Sequence, residues 1–194
     1  MIPREEAVAT IVGQLGPDDL LITTTGMISR ETFNVLDRPG NFYMLGSMGL
    51  ASALALGLAL GSTRRRVFVL EGDGSALMSL GTLPLIASER PANLVHVILD
   101  NEAYESTGAQ RSITTGVDLA AIGRSAGYQA VVRCADRDTL VREASRATVD
   151  GGPRLLVVKT DLALAREVPR VPRSTADIRD TFRRFVHAPG DAPD

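Results

Sequence analysis

Asp73 and Asn101 are the two side chains whose types and spacing point most directly to chemistry. Asp73 stands in Gly72-Asp73-Gly74-Ser75, and Asn101 follows Ser75 after a further 25 residues, at the end of the apolar run Leu94-Val95-His96-Val97-Ile98-Leu99. Val67-Phe68-Val69-Leu70 reads as a strand entering the Gly-Asp-Gly turn. A mostly apolar helix follows, and the next strand ends at Asn101. Both residues then lie at the carboxyl ends of neighbouring parallel strands. Carboxylate and amide oxygens are hard ligands, suited to an Mg²⁺ or Ca²⁺ that also holds phosphate oxygens. Gly72 and Gly74 allow a diphosphate to approach the backbone, and the helix after Ser75 directs its positive end at that charge. The segment reads as a site for a metal-bound diphosphate. Taken singly, Asp73 is also a common turn residue before glycine, and Asn101 a strand-end turn residue.

The elements that must position these residues are legible as apolar runs. Leu20–Thr24, Phe42–Leu45, Val67–Leu70, Val95–Leu99, Gln129–Val132 and Leu155–Lys159 read as six strands. Several are near-continuous Val/Leu/Ile, as expected of strands covered on both faces. Helical spacing appears over Arg4–Leu15, where Ala7, Val8, Ile11, Val12 and Leu15 fall on one face. Helices are also expected over Leu50–Leu60, Ala76–Ser88, Leu119–Ala126, Asp136–Val149 with Asp136 as its cap, and Thr175–Val186 capped by Ser174. Alternating strands and helices predict an α/β fold, a doubly wound six-stranded parallel sheet with helices on both faces. Ligands in such sheets collect at the carboxyl edge, where Asp73 and Asn101 are expected.

Gly72-Asp73-Gly74 closing on Asn101 resembles the binding motif of thiamine diphosphate enzymes. The longer run Glu71-Gly72-Asp73-Gly74-Ser75 … Leu99-Asp100-Asn101-Glu102-Ala103-Tyr104-Glu105-Ser106-Thr107-Gly108 is similar to one branch. That branch comprises the phosphonopyruvate decarboxylases and sulfopyruvate decarboxylase beta subunits. Gly26 with Ile28-Ser29-Arg30-Glu31, and Gly46-Ser47-Met48-Gly49, also fit it. The resemblance implies thiamine diphosphate and Mg²⁺ as cofactors, with Asp73, Asn101 and the backbone carbonyl of Ala103 on the metal. Gly72, Gly74 and Ser75 would face the diphosphate, although Ser75 reads equally as a helix cap. The Gly46 carbonyl, beside Ser47, would accept from the cofactor's amino group, and Met48 would be the wedge that bends it. A pliant thioether suits that role. Arg30 is a candidate for the substrate's anionic head group, or else a surface partner of Glu31 or Asp37. Glu105, Ser106 and Thr107 read as a polar, mobile lid near the substrate.

The resemblance further implies that residues 1–187 form the diphosphate-binding domain, with 188–194 a disordered tail. The glutamate that activates the cofactor would come from a partner alpha subunit carrying the pyrimidine-binding domain, in a heterotetramer or larger hetero-oligomer. The substrate would be a small anionic 2-oxo acid, 3-phosphonopyruvate or sulfopyruvate. Another 2-oxo acid, or a non-catalytic module binding a nucleotide or diphosphate, stands as an alternative.

Composition narrows the field. The 194 residues are enough for one full core. A net charge of −2 gives no footprint for nucleic acid. The arginines are scattered except for Arg64-Arg65-Arg66, which sits where cations favour a helix end. A single cysteine, Cys134, suits a reducing cytoplasm and a packing role. His96 lies inside an apolar strand and reads as core. Phe42 to Thr63 carries no charge, yet Gly46, Gly49, Gly57 and Gly61 interrupt it. Its helical part is too short to span a bilayer, so it reads as a helix that is buried or packed against a partner.

Overall fold

A computed structural model describes residues 1–62, 65–146, 153–162 and 168–188. Six strands run parallel in one sheet: β1 (Leu20–Thr23), β2 (Asn41–Tyr43), β3 (Val67–Gly72), β4 (Leu94–Asp100), β7 (Ala130–Cys134) and β8 (Arg154–Lys159). Their spatial order is β2-β1-β3-β4-β8-β7. The chain therefore builds outward from β1 to β2, then crosses back to place β3 on the other side of β1. A crevice opens at such a switch point, outside the carboxyl ends of the strands. The register pairs Gly72 with Leu99, so β3 and β4 end level with each other. That register puts the Gly-Asp-Gly turn and Asn101 side by side.

Strand alternation sorts the core into two layers. Val67 and Val69 face a cluster built with α3 (Ala51–Gly61), α5 (Thr82–Glu89), α6 (Leu119–Ala126) and α8 (Thr175–Val186). Phe68 and Leu70 face the opposite cluster, which gathers α1 (Arg4–Val12), Ile28 of α2 (Met27–Val35) and α7 (Arg137–Arg146). The expected six strands, each within two residues at its ends, and helices on both faces are all present. Asp136 caps α7 through the Thr139 amide at 2.8 Å, and Ser174 caps α8 through the Asp177 amide at 3.1 Å. The final residues expected of the α7 helix, 147–149, and most of the expected tail, 189–194, lie outside the described residues.

Three expectations need correction. The helix expected over Ala76–Ser88 is two: α4 (Asp73–Met78) and α5, with Ser79 to Gly81 between them. Pro84 explains the break. It lacks an N–H and would clash with the carbonyl four residues back, so it is tolerated only in a first turn. The α1 helix ends at Val12 rather than Leu15, tightening into bonds from Gln14 to Ile11 and from Leu15 to Val12. Helix α2 has no counterpart among the expected elements, because its buried face includes Ser29, Glu31 and Thr32 and breaks the apolar pattern. The polar segment after Asn101 is also more ordered than a plain loop. It forms an antiparallel ribbon, β5 (Ala103–Tyr104) with β6 (Gln110–Arg111), around a 3₁₀ turn at Glu105–Thr107.

The remaining sequence features resolve into packing. Arg65 donates to the Phe185 carbonyl at 3.0 Å and lies over its ring, while Arg66 pairs with Asp19. Arg64 is outside the described residues. Cys134 is buried, and burial together with nearby Glu143 pushes its thiol up to about 12. Among the described residues no helix is long and apolar enough to cross a membrane.

Candidate cofactor site

One cleft opens at the carboxyl ends of β1, β3 and β4. Its walls bring together Gly72, Asp73, Gly74 and Ser75 from the β3–α4 turn, Met48 from the β2–α3 turn, and Asn101 and Ala103 after β4. Glu105, Ser106 and Thr107 close one side, and Thr24 and Thr25 line the end of β1. Of the residues singled out from the sequence, three do not line it. Gly46 and Ser47 border a neighbouring depression with Phe42, Met44 and Thr175. Arg30 turns away and donates to the Val168 carbonyl at 3.2 Å. Its two alternative partners are engaged elsewhere, since Glu31 pairs with Arg4 and Asp37 with Arg173.

The local backbone explains the glycines. A Cβ on Gly74 would come within 2.3 Å of the Tyr104 ring, so only glycine lets that ring lie across the turn. Gly49 has φ +92°, and its Cβ would meet the Cβ of Met78 at 2.9 Å. The β2–α3 turn is thereby pressed against α4.

Asp73 is 2% exposed, and its Oδ2 accepts from the Thr114 hydroxyl at 2.8 Å. Burial pushes this carboxyl above its usual range; the Thr114 and Ser112 hydroxyls oppose the shift and Asp100 reinforces it. Among the described residues no cationic side chain pairs with Asp73. Asn101 is oriented from both ends of its amide. Its Oδ1 accepts from the Ala103 amide at 3.1 Å, and its Nδ2 donates to Glu105 at 3.2 Å. Glu105 is in turn held by Arg4, whose guanidinium also grips Glu31 through two bonds of 2.9 and 2.6 Å.

Ser75 lines the cleft but departs from its expected role as a helix cap. It does not cap α4, whose flanking residue is Gly72 with no side-chain cap. Its hydroxyl faces inward, donating to Glu71 at 2.8 Å and accepting from Thr24 at 2.9 Å. Only its backbone remains for a diphosphate. Arg4 and Thr114 had no signal in the sequence, because each reaches the site from an element far from the Gly-Asp-Gly turn.

The side chains here suit a hard cation. A carboxylate and an amide, from Asp73 and Asn101, line one cleft together with Ala103, and oxygen ligands of that kind are the ones Mg²⁺ takes alongside phosphate. Arg4, the one cationic side chain among the described lining residues, is already claimed by two carboxylates. The cleft thus offers a diphosphate no unpaired cationic side chain among its described lining residues.

Residues 23–158 match the family model described as the thiamine pyrophosphate enzyme C-terminal TPP binding domain. A phosphonopyruvate decarboxylase from Streptomyces hygroscopicus is 39% identical over 186 residues, covering 96% of this chain and 46% of the relative. A sulfopyruvate decarboxylase subunit beta from Methanothermobacter thermautotrophicus is 49% identical over 136 residues, 70% of this chain and 72% of the relative. The benzoylformate decarboxylase structure from Polynucleobacter necessarius superposes with a TM-score of 0.73 at 20% identity, over 83% of this chain and 33% of that one. That likeness is one of fold. The site and fold define a diphosphate-binding α/β domain, and the chain belongs to the thiamine pyrophosphate enzyme family through its C-terminal TPP binding domain. It spans about half the length of the two phosphonopyruvate decarboxylases it matches, 46% and 47%.

Proposed function

We propose that this chain is the diphosphate-binding subunit of a split thiamine diphosphate-dependent decarboxylase acting on 3-phosphonopyruvate or sulfopyruvate. The observation that carries this reading is the convergence of Asp73, Asn101, Ala103 and Met48 in one cleft at the ends of β3 and β4. Relatives named for those two activities support the choice of substrates.

In this reading Asp73, Asn101 and the Ala103 carbonyl hold Mg²⁺, and the backbone at Gly74 and Ser75 faces the diphosphate. Once bound, thiamine diphosphate supplies a nucleophilic carbon and an electron sink for loss of CO₂ from a 2-oxo acid. Met48 props the cofactor's shape from the β2–α3 turn, where the Gly46 carbonyl is to receive its amino group. Thr114 holds the Asp73 carboxylate, and Glu105 fixes which end of the Asn101 amide faces the metal. Glu105, Ser106 and Thr107 bound the space left for the substrate.

The activating glutamate and the pyrimidine pocket are assigned to a partner alpha subunit. Supporting this are the relatives named subunit beta and exposed apolar side chains beside the cleft. Leu50 and Leu54 open α3, and Met78, which packs on Gly49, is 64% exposed. Such a patch suits a protein partner. The test is CO₂ release from each acid by this chain combined with its alpha subunit, with thiamine diphosphate and Mg²⁺. Release from neither acid refutes the proposal.

A further inference from the structure

Beneath the cleft, five side chains form a buried chain of hydrogen bonds that metal and diphosphate binding do not account for. Glu71 and His96 lie on the same face of β3 and β4, among Val67, Val69, Leu94 and Ile98, and both are 0% exposed. His96 Nε2 meets Glu71 Oε1 at 2.7 Å, and His96 Nδ1 meets the Tyr128 hydroxyl at 2.9 Å. Ser75 donates to the other Glu71 oxygen at 2.8 Å. The Ser75 oxygen then accepts from the Thr24 hydroxyl at 2.9 Å and from the Gly49 amide at 3.2 Å.

One placement of hydrogens satisfies every bond: Tyr128 donates to Nδ1, Nε2–H and Ser75 donate to Glu71, and Thr24 and Gly49 donate to Ser75. Placing a carboxyl group and an imidazole inside an apolar layer is costly, and well-packed hydrophobic side chains would serve stability at least as well. What the hydrogen bonds accomplish is a connection. They end on the backbone of Gly49, on the end of β1 and on the first turn of α4.

We propose that Glu71 and His96 are positioning residues for the cofactor cleft. They orient the Ser75 hydroxyl so that it holds the Gly46–Gly49 turn, the Thr24 strand end and the Gly-Asp-Gly turn at one fixed spacing. This rests on the functional reading above. The turn that carries the wedge methionine and the turn that carries the metal aspartate are thus joined through a hydroxyl that faces the core.

Two amide substitutions separate positioning from packing. In His96→Gln the amide nitrogen occupies the place of Nε2 and keeps the bond to Glu71. In His96→Asn the amide lies near Nδ1, keeping Tyr128 and losing Glu71. His96→Leu removes both. For the full chain, calorimetry gives the affinity for thiamine diphosphate in Mg²⁺, hydrogen exchange gives protection of the Gly49 amide, and thermal unfolding is followed separately. His96→Asn and His96→Leu are expected to bind about tenfold more weakly and to lose Gly49 protection. His96→Gln is expected to stay near wild type in both. The glutamine and asparagine pair decides the matter even where the leucine protein does not fold.

Equal behaviour of those two, or wild-type affinity and Gly49 protection in all three, overturns the positioning role. A wild-type chain that ignores thiamine diphosphate, alone and with its alpha subunit, overturns the functional reading. The Gly49 exchange pattern then still judges the linkage by itself.

Discussion

Gly49→Ala is expected to unfold well below wild type, while Gly57→Ala, eight residues along in the same segment, is expected to unfold above it. At Gly49 the backbone has φ +92°. A side chain in the left-handed region costs about 1–2 kcal/mol. The added Cβ would also stand 2.9 Å from Met78 Cβ and 3.4 Å from the Ser75 carbonyl oxygen. Neither neighbour is the free end of a flexible chain, so the β2–α3 turn must lift from α4, an overpacking cost of about 1–3 kcal/mol. Lower entropy of the unfolded chain returns about 0.4–1 kcal/mol. The net loss is about 2–3 kcal/mol, or about 5–10 °C for a chain of this size. Gly57 lies within α3 with nothing within 4 Å of an added methyl, and alanine there gains about 1 kcal/mol of helix propensity. Urea and thermal unfolding followed by circular dichroism measure both. The same sign for the two variants, or a Gly49→Ala protein indistinguishable from wild type, refutes the reasoning.

Three more outcomes are expected. Asp73→Asn should abolish Mg²⁺-dependent binding of thiamine diphosphate in calorimetry. Because burial raises the Asp73 carboxyl, the folded metal-free chain retains a proton that the unfolded chain has released, so stability falls as pH rises from the ordinary carboxylate range through the raised value. Urea unfolding across that window should show the dependence in wild type and a flatter profile in Asp73→Asn. Arg4→Met strands the buried Glu31 and the partly buried Glu105 carboxylates and should cost about 3 kcal/mol in urea unfolding, with much of it restored by adding Glu31→Gln. Cys134, buried and with its thiol pushed up to about 12, should resist iodoacetamide at neutral pH until the chain is unfolded, as mass spectrometry would show.

What could be read from the sequence was whatever depends on local pattern. The strands stand out because each is a largely apolar run and most are buried on both faces, and the Gly-Asp-Gly turn and Asn101 follow from where those runs end. The caps Asp136 and Ser174 act over three residues and are equally visible. Helix α2 was hidden because Glu31, which a periodicity argument sends to solvent, is buried against Arg4. Arg30 looked like the anion ligand because it lies in the family-like segment, but the fold turns it toward Val168 and brings Arg4 to the cleft instead. His96 did prove to be a core residue, yet its partners Glu71 and Tyr128 lie 25 and 32 residues away. Contacts of that range emerge only once the strands are in register.

The small ribbon between β4 and α6 is moored at both feet. Its near end carries Asn101 and Ala103, and its far end leads to Ser112, bonded to the Glu102 carbonyl at 2.8 Å, and to Thr114 on Asp73. The tip from Ser106 to Gly108 is therefore a cantilever whose anchorage is shared with Asn101 and Asp73. Sequence or length can change at the tip while the anchor points stay put. Under the proposed function, this is a way to exchange one acid for another while leaving the grip on the coenzyme intact.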